Sequence, residues 1–258
     1  MSNPTNILNH PLTPQPKHPP LFSRGGVLAL IIAMVTAFFM SQLIGVYVAG
    51  KVLLPAASTS SVGNIFFFGS SDGTVVSVSI IISLILLTAL SVLIVHLRGS
   101  NVRQYLALKP FSLAMGIGLL GLLLLFIISS ELLTYLLDKN PLTFVDPLYQ
   151  SVSSVWLLVV AIVFVAPIYE ELVFRGLLWS AIAEQFSEQR GALVASIVTS
   201  LIFAIIHLQY GLYEISTLVV LALVFCYARI KSGSLLLSML LHIVNNGAAM
   251  WQYLTQVT

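Results

Sequence analysis

Two adjacent carboxylates and a guanidinium, Glu170, Glu171 and Arg175, stand inside the strongly apolar run from Val155 to Ile182. Charges at bilayer depth cost about 2.5–3.5 kcal/mol each on insertion scales, so they mark function and face protein or water rather than lipid. On a helix Glu171 and Arg175 share a face, four apart with the carboxylate on the favoured N-terminal side, and neutralise each other. Glu170 is turned about 100° away from Glu171. It keeps no local partner and is the carboxylate free for chemistry. Further along, Phe203 and His207 are four apart on one apolar segment, and His242 and Asn246 are four apart on another. Each segment thus presents one polar face, which a helix bundle buries and lipid does not accept.

A carboxylate beside an imidazole holds a water and takes its proton, and removal from bulk water makes a carboxylate a better base near neutral pH. A second imidazole and an amide N–H supply donors for the oxyanion that forms when a carbonyl is attacked. Glu170, His207, His242 and Asn246 therefore suit hydrolysis of an amide bond without a Ser or Cys nucleophile. The same types also suit zinc, because two His and one Glu with an open fourth position is a catalytic ligand set; Glu170, His207 and His242 would then be the ligands. Both mechanisms are compatible with these residues, although HExxH is absent. Taken singly, each residue has a plainer reading: a hydrogen-bonded packing histidine, a Glu–Arg staple. Glu131 reads as a helix-end residue near the outer face, and Tyr169 and Trp179 as packing aromatics.

These groups need long apolar elements to position them. The 258 residues are 58% hydrophobic and 8% charged, against about 25% charged in a soluble domain, and mean hydropathy is +1.02. The fold class expected is all-α, a polytopic membrane helix bundle. Spans fall at about 27–49, 74–97, 112–137, 155–183, 191–209, 212–230 and 234–254, each near the roughly 20 residues a bilayer core requires. The short segment around Ile65-Phe66-Phe67-Phe68 is expected to be an interfacial or re-entrant half-span. Pro167 is expected to kink or break the fourth span and to free carbonyls one turn earlier. Residues 1–26 hold six of the eleven prolines and read as a disordered proline-rich tail; residues 27–258 form one membrane domain. With the N-terminus inside, the cytoplasmic side collects Lys17, Arg24, Arg98, Arg103, Lys109, Arg190, Arg229 and Lys231, and the other side Lys51 and Lys139, as the positive-inside rule requires. A net charge of +2 gives no reason to expect nucleic acid, and the single cysteine, Cys226, reads as a packed thiol.

The series Glu170-Glu171-x-x-x-Arg175, Phe203-x-x-x-His207 and His242-x-x-x-Asn246 resembles the CPBP family, the type II CAAX prenyl endoproteases and the related bacteriocin-processing and self-immunity membrane proteins. The resemblance covers about 165–250. It implies an intramembrane endopeptidase with its site in a cavity between helices. Glu170 would be the general base, His207 would help hold the water, and His242 and Asn246 would form the oxyanion site. Glu171 and Arg175 would orient the motif helix, with Phe203 in support. It also implies a peptide or membrane-protein substrate, CAAX-type or related, and a place in a lipid bilayer, with the bacterial inner membrane expected. A metal-free glutamate mechanism is favoured and zinc is the competing view. A non-catalytic immunity or regulatory protein on the same scaffold is the alternative function, and a proton-coupled transporter a third.

Overall fold

The computed structural model describes residues 19–140 and 142–257. Every regular element among them is helical. α1 (Arg24–Leu53) is followed by the short α2 (Val62–Gly69), α3 (Gly73–Leu97), the one-turn α4 (Val102–Tyr105) and α5 (Leu113–Leu136). α6 (Asp146–Ser151) leads into α7 (Val155–Ala183), and α8 (Glu188–Ile205), α9 (Leu212–Ser232) and α10 (Leu235–Val257) complete the order. Among the described residues, six helices are long and apolar enough to cross a membrane: α1, α3, α5, α7, α8 and α9. α10 is 23 residues long, sufficient to span, but His242, Asn245, Asn246 and Gln252 dilute its apolar character. The chain is an integral membrane protein, an all-α bundle with helices at all seven expected positions.

Local chemistry explains the helix starts. Ser23, Ser61, Asp72 and Ser112 each turn a side-chain oxygen back onto a backbone N–H three residues on, satisfying a donor the first turn leaves free. α9 ends at Gly233, whose φ of +62° is the left-handed conformation that glycine adopts without strain. The segment at Ile65–Phe68 is the eight-residue α2, with Ile65 fully buried and Phe67 and Phe68 exposed. α1 begins at Arg24, inside the stretch expected to be tail. Phe22 is only 3% exposed, and the backbone at Leu21 and Phe22 is bound by Glu184 and Gln185 at the end of α7. Residues 1–18 of the expected tail lie outside the described residues.

α7 is the centre of the bundle. In its most apolar stretch 61% of residues are buried, against 11–39% in the other five candidate spans. Phe174, Leu177 and Leu178 have no exposed surface and pack with Met34 and Phe38 of α1, Leu87 of α3 and Phe203 of α8. α5 is the reverse case: Leu113, Ile117, Leu125, Ile128 and Leu132 are all more than half exposed, a face suited to acyl chains.

α8 returns against the end of α7 so tightly that a methyl group on Gly191 would stand 2.3 Å from the Ala183 carbonyl oxygen. Gly191→Ala is therefore expected to cost about 1–3 kcal/mol through overpacking, read as a lower melting temperature of the detergent-solubilised protein. Gly118→Ala is the control, because a methyl there meets nothing within 4 Å; equal melting temperatures for the two variants would contradict the close approach.

Candidate active site

The motif helix α7 carries two π-helical segments, Val160–Val165 and Leu172–Leu178, on either side of the α-helical turn Ala166–Glu171 that holds Pro167, Glu170 and Glu171. A π segment inserts an extra residue into the turn and, on returning to α register, leaves a carbonyl without a helical donor. In the first segment the Ala166 N–H reaches the Ala161 carbonyl, five residues back. The next step in that register pairs residue 167 with Ile162, and proline has no N–H to give. The Ile162 carbonyl instead accepts from Asn246 Nδ2 at 3.1 Å. In the second segment the Trp179 N–H reaches the Phe174 carbonyl, and the carbonyl that follows, of Arg175, accepts from Arg229 Nε. Of the kink or break expected at Pro167, the break is absent: helical conformation runs continuously from Val155 to Ala183, and the widened turns absorb the missing donor. The freed carbonyl one turn earlier is there as expected.

Glu171 is the polar hub. Its Oε1 accepts from Arg175 Nη1 at 2.8 Å and lies 3.0 Å from His242 Nδ1, and its Oε2 accepts from Ser238 Oγ at 2.6 Å. Glu171 and Arg175 are both fully buried. Nε and Nη2 of Arg175 have no hydrogen-bond acceptor; the guanidinium carbon lies 4.3 Å from the ring centroid of Phe203 and 5.5 Å from that of Phe225, where the ring faces attract the charge. His242 stacks on Phe225, with centroids 4.8 Å apart. With a carboxylate at Nδ1, that nitrogen is the donor, and Nε2 presents its lone pair 3.7 Å from Glu170 Oε2.

His207 stands just past the end of α8, half-buried. Its Nδ1 contacts the Phe203 carbonyl at 2.6 Å; the carbonyl can only accept, so here too Nε2 carries the free lone pair. The Phe203 ring lies between the two imidazoles, with centroids 4.7 Å from His207 and 5.9 Å from His242. Tyr210 stacks on the other side of His207. Asn246 and Tyr210 line a cavity of about 90 Å³ with Ile162, Phe144 and Met250. Asn245, one residue from Asn246 and so turned off the His242 face, lines a separate groove of about 240 Å³ with Glu131 and Gln252, where Gln252 Nε2 donates to Glu131 at 2.7 Å.

The structure thus joins Glu171, Arg175 and His242 directly, with Phe203 packed against them, and sets Glu170 3.7 Å from His242. It ties Asn246 to α7 through a backbone carbonyl, and it brings His207 to the group through the Phe203 ring rather than through a hydrogen bond to Glu170. The zinc ligand set fits less well: among the described residues, no three His, Cys, Asp or Glu side chains converge as a metal-holding group. Sequence reasoning missed Ser238, Phe225 and Arg229. Ser238 had a signal, four residues before His242 on the face that carries Asn246. Arg229, expected among the cytoplasmic charges, is instead 7% exposed inside the bundle, because its long side chain turns back to the Arg175 carbonyl.

Removing one partner of a buried pair strands the other charge. Glu171→Ala is expected to destabilise by about 3–5 kcal/mol, and Glu171→Ala combined with Arg175→Met to cost less than the sum of the single changes. Melting temperatures of the three detergent-solubilised proteins test this; strict additivity would contradict the coupling.

Residues 152–248 match the family described as type II CAAX prenyl endopeptidase Rce1-like. An uncharacterised 24.3 kDa protein of Escherichia coli is 34% identical over 94 residues, 36% of this chain and 42% of that protein. The chain therefore matches less than half the length of this curated relative. No solved structure matches. The matched range begins just before α7, spans less than half of the chain, and includes Glu170, His207, His242 and Asn246.

Proposed function

We propose that the protein is an intramembrane endopeptidase that hydrolyses a peptide bond with a water activated by Glu170. The observation that carries this reading is the placement of His242 between the two glutamates. Glu171 holds Nδ1, so Nε2 faces Glu170 Oε2 across 3.7 Å, too far for a direct hydrogen bond but a separation whose two ends a single water reaches. That water donates one proton toward the Glu170 carboxylate and the other toward Nε2. As its oxygen bonds to the substrate carbonyl carbon, Glu170 takes the first proton and the carbonyl oxygen becomes an oxyanion. One N–H of the Asn246 amide is held by the Ile162 carbonyl, and the second is free to donate to that oxyanion. Glu170 then delivers its proton to the amine nitrogen as the C–N bond breaks, which balances water against the two product ends.

His242, implied by the resemblance to be an oxyanion donor, instead accepts from the water, and His207 keeps its implied part. Its free Nε2 lone pair, beside Phe203 and Tyr210, steadies the water or the substrate from the cavity side rather than pairing with Glu170. Glu171 and Arg175 orient, and Ser238 fixes the second oxygen of Glu171. The substrate is a peptide or membrane-protein segment, CAAX-type or related. The protein resides in a bacterial inner membrane with the N-terminus cytoplasmic. Exposed Arg24, Arg98, Arg103, Lys109, Arg190 and Lys231 then share one side, and Lys51 and Lys139 the other.

Glu170→Gln keeps the shape of the side chain but accepts no proton. Peptide cleavage by the purified variant in liposomes is expected to fall by on the order of 10²–10⁴, the usual worth of a positioned general base, with an unchanged melting temperature. Turnover retained in a folded variant would remove Glu170 from this role. A metal-free mechanism further predicts that elemental analysis finds less than stoichiometric zinc; one zinc per chain, lost in His207→Ala and in His242→Ala, would reverse that part of the reading.

A further inference from the structure

The last turns of α9 hold a buried cation that the proposed reaction does not use. Arg229 donates through Nε to the Arg175 carbonyl and through Nη2 to Ser180 Oγ at 2.9 Å, and its guanidinium carbon lies 4.1 Å from the centroid of the Trp179 ring. Ser180 Oγ in turn donates to the Tyr105 carbonyl at 3.1 Å, which anchors the far side of the contact on α4. Among the described residues Arg229 has no carboxylate partner. A desolvated guanidinium without a counter-ion is costly, and a leucine would fill the space between two helices without that cost.

All three groups that receive Arg229 belong to α7, and all lie at one place in it. The Arg175 carbonyl is where the second π segment gives way to α register, and it is taken by a side chain of α9. A planar guanidinium can bind that carbonyl and a hydroxyl one turn on at the same time, which an ammonium cannot do. Arg175 carries this carbonyl on its backbone and holds Glu171 with its side chain. Glu171 holds His242, and His242 faces Glu170. Without the donor from α9, the helix is free to recover α register between Leu172 and Leu178, which drops one residue from the turn and rotates Arg175 relative to Glu171.

We propose that Arg229 is a positioning residue: it holds the Leu172–Leu178 segment in π register and so sets where Glu170 and Glu171 stand relative to His242. The inference rests on the endopeptidase reading for its kinetic consequence and on backbone geometry alone for its structural one.

The test uses the full-length protein in liposomes with three variants. Arg229→Met keeps length and loses the donors; Arg229→Lys keeps the charge and loses the fork; Arg229→Ala leaves room for added guanidinium. Arg229→Met is expected to lower kcat by on the order of 10², the effect of a displacement of about 1 Å at the reacting groups. KM should stay within about twofold, because substrate contacts are untouched. Lysine should recover only a small part of kcat. Guanidinium at sub-denaturing concentration should restore kcat to Arg229→Ala, and ethylammonium should not. Wild-type kcat in Arg229→Met overturns the proposal, as does a loss that follows the folded fraction and is not relieved by guanidinium. Amide hydrogen exchange gives an independent readout: Arg229→Met should change exchange over 172–180 and leave α1 and α3 as in wild type. If the wild type cleaves no peptide, the endopeptidase reading fails, and the exchange pattern alone upholds or rejects the role of Arg229.

Discussion

The polar groups shared by α7 and the first half of α10 are arranged around the carboxylate of Glu171. It is buried without exposed surface, and a bare charge there would be untenable. Three donors on two helices make it tenable: Arg175 from the same helix, and Ser238 and His242 from α10. The same donors that stabilise the charge also fix the geometry. Arg175 cannot swing away without stranding Glu171, and His242 cannot rotate its ring without losing the carboxylate at Nδ1. A carboxylate held this firmly does no chemistry of its own, and in the proposed reaction the base is its neighbour, Glu170.

The two π segments explain how adjacent glutamates come to such different surroundings. Each widened turn leaves one carbonyl to a side chain from another helix, Ile162 to Asn246 of α10 and Arg175 to Arg229 of α9. The irregularity in α7 is therefore tied to its neighbours at both ends, and helix packing and site geometry become one constraint. Asn246 has two functions in this arrangement. It completes the backbone hydrogen bonding that Pro167 interrupts, and it lines the cavity that Tyr210 also lines.

Much of this was legible in the residues. The four-residue spacing of Glu171 and Arg175 gave their pairing, and the long apolar runs gave the helices. Polar faces on three separate segments pointed to one buried site. The remainder was not legible for physical reasons. A π turn follows from hydrogen bonds made after helices assemble, so no periodicity in Val160–Leu178 announces it. Pro167 signalled a missing donor but not whether the chain would bend or widen. Arg229 sits beside Lys231 at a helix end, where a basic residue ordinarily faces water, and only the tertiary position of the Arg175 carbonyl turns it inward. The distance of His207 from Glu170 depends on the Phe203 ring between the two histidines, which spacing alone does not reveal.

The composition of α10 has a bearing on biogenesis. Its middle turns carry an imidazole and two carboxamides, so as an isolated segment it partitions into hydrocarbon less readily than the other long helices. The imidazole of His242 and the carboxamide of Asn246 find their partners on α7, which is synthesised about eighty residues earlier. The final helix thus has a polar seam ready to receive it by the time it leaves the ribosome. Docking on α7 satisfies polar groups that hydrocarbon alone would not, and the same contacts complete the proposed active site.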